Sequence, residues 1–347
     1  MDATSLIEKL HGVASAAGVV RLGVAAVEPF EDTRHALVSR KAEGLHGGMS
    51  FTYRDPVRST DPARILEGAR SILVGAFPYA SGDLSEPTFD GPAGRVARYA
   101  ATDYYGELRL ALEQVASVLQ EAGYRTKVVL DDNALVDRAA AQRAGIGWFG
   151  HNANLLVPGH GSWVVLGSVV TDAEFEPAEA VADGCGPCRR CIDGCPTGAI
   201  VGLGIVDARR CLAWLVQAEG TFPLEFREAL GDRVYGCDEC QEVCPPARRS
   251  PQAGEPVESD GAWVELLWMV NASDEELLGQ FGRWYIPRRD PRYLRRNALL
   301  ALGNKGDPAD QRVRVAIDRF LVGEDELLRE HAEWAIGRLN GRAQEKP

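Results

Sequence analysis

No cysteine stands outside residues 185–244 of this 347-residue chain. No apolar run approaches the roughly 20 residues that a membrane span requires. No basic stretch precedes an apolar core near Met1–Ser5, so no signal peptide is expected and the setting is read as cytoplasmic and reducing. Positive charge is also short. The net charge of −12 removes non-specific nucleic-acid binding by overall charge, so an RNA partner would need a local basic surface. What is present is ordinary for a globular protein: 45% apolar residues, and length enough for two or three domains.

The eight cysteines fall into two runs and a singlet. The first run is Cys185-x2-Cys188-x2-Cys191-x3-Cys195-Pro196, the second is Cys237-x2-Cys240-x3-Cys244-Pro245, and Cys211 stands between them. The first spacing is that of bacterial two-cluster ferredoxins, in which the fourth thiolate of a run ligates the other [4Fe–4S] cluster. Crossing over at both runs assigns Cys185, Cys188, Cys191 and Cys244 to one cluster. Cys195, Cys237 and Cys240 hold the second, and Cys211 completes it. Zinc and disulfides are the competing readings. A third Cys two residues after a CxxC pair and a Cys-Pro close are not zinc spacing, and disulfides need an oxidising compartment.

Along the chain, helical and strand patterns alternate from residue 3 to about residue 171. Strands are expected at 19–27, 71–77 and 126–130, and a strong amphipathic helix at 104–122. A long Gly/Pro/Ser-rich loop is expected over 78–94, and a hairpin of 155–157 with 163–171. These patterns predict an α+β chain in three parts: a layered α/β domain over 1–175, a ferredoxin-like module over 176–255, and a helical domain over 256–347. Two similar stretches, 295–303 and 328–339, recur at about the period of HEAT-type repeats, with a plain helical bundle as the alternative.

Several stretches together resemble the epoxyqueuosine reductase family. They are Gly94–Tyr105, Asp131–Arg138, Ala144–Asn152 (Ala-Gly-Ile-Gly-Trp-Phe-Gly-His-Asn), Gly161–Gly167, both cysteine runs and Arg295–Ala298. The resemblance implies a cobalamin- and two-[4Fe–4S]-dependent enzyme that reduces epoxyqueuosine to queuosine at the tRNA wobble position. It also implies a first domain related to reductive dehalogenases and flavin nitroreductases. Clusters pass one electron at a time, so a two-electron carbon-reactive centre such as low-valent cobalt must stand between them and an epoxide. The motif Asp-x-His-x2-Gly, by which some enzymes ligate cobalt, is absent.

By the same resemblance, Asp131 is the proton donor, with Asp132 as the rival register and helix capping as the bland role. Burial beside a corrin would keep such an acid protonated. Arg58, Asp103 and Tyr104 match positions near the cofactor, although a loop, cap or core role suits each. Two positions depart from the family: Tyr105 replaces a usual His, and His151 a usual Lys. Arg138 and the run Arg288, Arg289, Arg292, Arg295 and Arg296, with Trp284 and Tyr285 among them, are expected to contact tRNA through phosphates and stacking. A monomer fed by an unidentified electron donor is expected, with no membrane partner. The alternatives are a dehalogenase-like enzyme acting on a small molecule, and a non-enzymatic electron-transfer subunit.

Overall fold

The computed structural model describes residues 3–79, 82, 89–250 and 259–345. An antiparallel sheet of four strands runs in the order Arg21–Ala25, Ser71–Pro78, Val164–Thr171, Thr126–Val129. The two inner strands pair from Ser71↔Thr171 to Pro78↔Val164 and are buried along most of their length. Burial on both faces is why each reads as an unbroken apolar run.

Strand alternation sends neighbouring side chains into opposite layers. Leu73, Val165 and Val169 meet Leu6 and Leu10 of helix Ala3–Ala16 and Leu108, Leu112 and Val115 of helix Tyr104–Glu121. Ile72, Val74, Ala76 and Val170 meet Phe30, Leu135 and the alanines of helix Asp137–Arg143. Gly75 and Gly167 lie opposite each other in register beneath helix Tyr104–Glu121. A Cβ on Gly167 would come within 2.8 Å of both Leu112 and Leu130. Glycine here lets the helix lie close to the sheet.

The expected hairpin is not formed. Leu155–Leu156 pairs with Trp148–Phe149, and only a Val157↔Gly161 bridge leads toward the strand Val164–Thr171. That strand is buried on both sides and takes the long partners Ser71–Pro78 and Thr126–Val129 instead. Of the expected loop 78–94, residues 80, 81 and 83–88 lie outside the described residues, while Ala93–Val96 is a strand. It is the middle of a second sheet, parallel to Arg233–Tyr235 and antiparallel to Trp263–Glu265. The three strands come from three separate stretches of the sequence.

Beyond this sheet the chain is helical: Leu266–Asn271, Asp274–Phe281, Arg292–Lys305, Gln311–Leu321 and Glu326–Glu345. Their apolar faces share one core with Val96, Ala100, Val234 and Tyr235. Among the described residues no helix is long and apolar enough to cross a membrane.

Candidate active site and cysteine quartets

All eight thiols are free. The helical turn Arg190–Asp193 of the first run packs against Glu239–Glu242 of the second, which brings the runs together. Burial, then Cys244, and more weakly Cys185 and Cys188, push the Cys191 thiol up to about 11. Cys244 in turn feels Cys185 and Cys188. Cys240 is raised by burial and then by Cys237, Cys211 and Cys195. The neighbours therefore sort into Cys185, Cys188, Cys191 and Cys244 against Cys195, Cys211, Cys237 and Cys240. Among the described residues, no three His, Cys, Asp or Glu side chains converge on a point that could hold a single metal ion. A cuboidal cluster asks for something different, because each of its thiolates binds its own iron. Burial raises the Cys195 thiol, but N–H groups of Thr197, Ala199 and Ile200 outweigh it and bring it below the ordinary range. The Ala199 N–H lies 3.2 Å from the sulfur. Such N–H···S bonds tune iron–sulfur centres, so the donor set fits two clusters.

A buried guanidinium fastens the second run to the first domain. Arg98 reaches Asp238 at 3.3 Å, Glu242 at 2.6 Å and the Gly82 carbonyl at 3.2 Å, and lies 5.2 Å from the Trp163 ring centre. On the other side, Asn152 donates to the Cys240 carbonyl at 3.3 Å, and His151 Nδ1 lies 2.8 Å from the Cys188 carbonyl. His151 thus ties a loop to a cysteine turn.

Asp131 follows strand Thr126–Val129 with φ 47, a left-handed conformation unfavourable for a non-glycine residue. The turn that carries it is pinned by Ser59, whose hydroxyl donates to the Asn133 carbonyl at 2.8 Å and whose carbonyl accepts the Val136 N–H at 3.1 Å. Ser59 belongs to the short helix Pro56–Ser59, so Arg58 comes to the same place, exposed and without an ion pair among the described residues. The Asp131 carboxyl reaches solvent, yet most of its surroundings are protein. Desolvation first, then the charge of Asp132, raises its pKa. Asp137 lies beside it and accepts the Asp131 N–H at 3.3 Å. Tyr105 is raised by burial and then by Asp131 and Asp137, so it stays a neutral phenol. An exposed, unpaired guanidinium on the short helix that pins this turn suits a ligand bearing phosphate and amide groups.

Other sequence-expected residues lie elsewhere or are already engaged. Asp103 caps helix Tyr104–Glu121, accepting the Gly106 N–H at 3.0 Å, so its carboxylate serves its own helix. Tyr104 packs 5.5 Å from Tyr79 in the core. The residue beside Asp131 is its neighbour, Tyr105. Arg296 is fully buried: its guanidinium donates to the Leu215, Val216, Ala218 and Gly220 carbonyls and to Asn297, out of reach of any RNA. Arg295 is held by Asp274 at 2.6 Å and the Ala272 carbonyl at 2.7 Å. Arg292 pairs with Asp290 at 2.7 Å. Trp284 is stacked between Tyr235 and Phe281, each 4.3 Å away, and is core. Arg138, Arg288, Arg289 and Tyr285 remain exposed. Asp137 and Tyr105 were missed as site residues. Nothing local in the sequence marks Asp137, six positions on, as the partner of the Asp131 backbone.

A folded pair of ferredoxin-type cysteine runs, fastened to a layered sheet that ends in an exposed acid, is the arrangement of an iron–sulfur oxidoreductase. Two family models match: the 4Fe-4S double cluster binding domain over residues 184–247, and epoxyqueuosine reductase QueG, DUF1730, over residues 59–132. The chain is 33% identical to the epoxyqueuosine reductase of Bacillus anthracis, over 98% of this chain and 91% of that one. A crystal structure of epoxyqueuosine reductase with an epoxyqueuosine-modified tRNA-Tyr stem loop superposes with a TM-score of 0.88 at 31% identity, covering 100% of this chain and 95% of that one. The Bacillus subtilis enzyme, solved with its catalytic aspartate loop swung out of the active site, gives 0.84 at 31% identity over 100% and 95%. The chain belongs to the epoxyqueuosine reductase family.

Proposed function

We propose that the chain reduces epoxyqueuosine to queuosine at the wobble position of tRNA, using two [4Fe–4S] clusters and cobalamin, with Asp131 as proton donor. The observation that carries the reading is the pairing of two complete cysteine quartets with an unpartnered acid at the sheet's end. The epoxide oxygen leaves as water, so the reaction consumes two electrons and two protons. Cobalamin, when bound, supplies two-electron chemistry at carbon. Asp131 delivers a proton to the epoxide oxygen, and its desolvated setting favours the acid form needed for that step. Arg58 holds the cofactor's phosphate or amides through charge-assisted hydrogen bonds.

Cys185, Cys188, Cys191 and Cys244 ligate one cluster, and Cys195, Cys211, Cys237 and Cys240 the other. The exposed Tyr285, Arg288, Arg289 and Arg138 contact the tRNA, a platform that a small substrate or a simple electron carrier would not need. The stem loop in the tRNA-bound relative supports this. The aspartate loop seen swung out in the Bacillus subtilis enzyme supports a mobile turn at Asp131. Residues 1–175 form the cofactor domain, with dehalogenase and nitroreductase kinship. Residues 176–255 form the cluster module, and 256–347 form HEAT-like helices. The enzyme works as a cytoplasmic monomer fed by a separate electron donor.

The test is an anaerobic assay of reconstituted protein with epoxyqueuosine-containing tRNA, reading the nucleoside by mass. Asp131→Asn should keep iron and corrin but lose turnover. Unchanged turnover would remove Asp131 as the acid.

A further inference from the structure

The turn 130–136 is well held everywhere except at its chemical residue. Ser59 fixes Asn133 and Val136, and the Asp132 carboxylate takes the Ala134 N–H at 2.7 Å. None of these bonds reaches Asp131, which stands in the left-handed region that Asp adopts more readily than most residues. Among the described residues, the one hydrogen bond on Asp131's own atoms runs from its N–H to Asp137 Oδ2, at 3.3 Å.

Among the described residues, Asp137 makes no other side-chain hydrogen bond. It opens helix Asp137–Arg143, yet its carboxylate accepts no N–H from that helix and forms no ion pair among the described residues. Arg138, the next residue, donates instead to the Ala153 carbonyl at 3.3 Å. A half-buried carboxylate without a cation is costly, and such a group is kept where it serves a specific contact.

We propose that Asp137 is a positioning residue for the reaction: its carboxylate latches the Asp131 backbone and holds the proton-donating turn in place. The proposal rests on Asp131 being the acid. The charges agree with it. Burial first, then the Asp131 charge, places the Asp137 carboxyl well above the usual range, with the Asp131 N–H and Arg138 opposing and Asp132 adding to the rise. The Asp137 carboxyl is thus the one that the pair keeps protonated, and a neutral carboxyl still accepts the Asp131 N–H on its carbonyl oxygen. Tyr105, the other titratable group facing both, remains neutral.

Three variants test it in the reconstituted holoenzyme: Asp131→Asn, Asp137→Ala and Asp137→Asn. Asp137→Ala should speed hydrogen exchange at the Asp131 amide about fivefold, as expected for one lost hydrogen bond. It should lower kcat about a hundredfold through misplacement of the acid, with KM for epoxyqueuosine tRNA, iron and corrin content unchanged. Asp137→Asn keeps an oxygen acceptor, so exchange should stay slow. Its kcat should stay near the wild-type value, because the latch bond is kept. Wild-type exchange and wild-type kcat in Asp137→Ala overturn the latch. If alanine prevents folding, Asp137→Ser, one atom too short to reach the Asp131 N–H, decides, and wild-type exchange with wild-type kcat there overturns the proposal. An active Asp131→Asn would instead remove the acid itself. An inactive Asp131→Asn beside an unaffected Asp137→Ala removes the latch alone.

Discussion

His331 accepts the backbone N–H of Phe222 on Nε2 at 3.1 Å, while its Nδ1 lies 2.6 Å from the Leu327 carbonyl. The pair joins the last helix to the loop that follows Cys211. It also fixes the tautomer, because Nδ1 must carry the proton and Nε2 must not.

That geometry gives a pH dependence. Burial pushes the His331 pKa down to about 4, with Arg227 and Arg296 adding to the fall, and with the Leu327 carbonyl and Glu330 opposing it. The neutral ring is the folded form. Its contribution is therefore complete above the ordinary histidine value near ~6.5 and is lost as pH falls toward about 4, up to ~3 kcal/mol. Denaturant unfolding at pH 7 and pH 5 should show a larger loss for the wild type than for His331→Gln. Equal losses would contradict it.

Arg296 and Arg288 should part company when replaced. Arg296→Ala strands four buried carbonyls and should cost ~3 kcal/mol or more, with iron lost as the loop after Cys211 loosens. Arg288 is exposed and pairs with Glu219 at 2.7 Å. Arg288→Ala should leave stability within ~0.5 kcal/mol, weaken tRNA binding and flatten its salt dependence. Thermal melts beside filter binding at two salt concentrations distinguish the two roles.

Cys211→Ser should remove one cluster and spare the other. Iron in anaerobically reconstituted protein is expected to fall from about eight to about four atoms per chain, four for each cubane. Loss of all iron, or none, would break the assignment of Cys211 to the quartet of Cys195, Cys237 and Cys240.

Tyr105→His would put an imidazole in place of the phenol that faces both acids. The phenol stays neutral, but an imidazole beside Asp131 and Asp137 would be charged at acidic pH and would favour their ionised forms. The alkaline limb of kcat should then shift to lower pH, whereas Tyr105→Phe should leave it in place. A pH profile of turnover reads both.

Much of this was legible in the sequence, for identifiable reasons. The thiolate spacing marks a double-cluster iron–sulfur module, and the family model over residues 184–247 matches it. The strands Ser71–Pro78 and Val164–Thr171 announced themselves because both of their faces are buried. Their mutual pairing did not, since register between segments ninety residues apart leaves no local mark. The arginine run misled because charge density along a chain says nothing about direction. Arg296, one helical turn after Arg292, points inward to a cage of carbonyls, and Arg295 is spent on Asp274. Asp137 and Tyr105 acquire their meaning only when the turn 130–136, the start of helix Tyr104–Glu121 and the start of helix Asp137–Arg143 come together.

The small sheet built on Ala93–Val96 has consequences for how the molecule can be divided. One edge is supplied by the stretch between cysteine runs and the other by the segment entering the terminal helices. Cutting the gene at either apparent seam would bare a strand edge and open the shared apolar interior on both sides. Fragments made that way should come out insoluble.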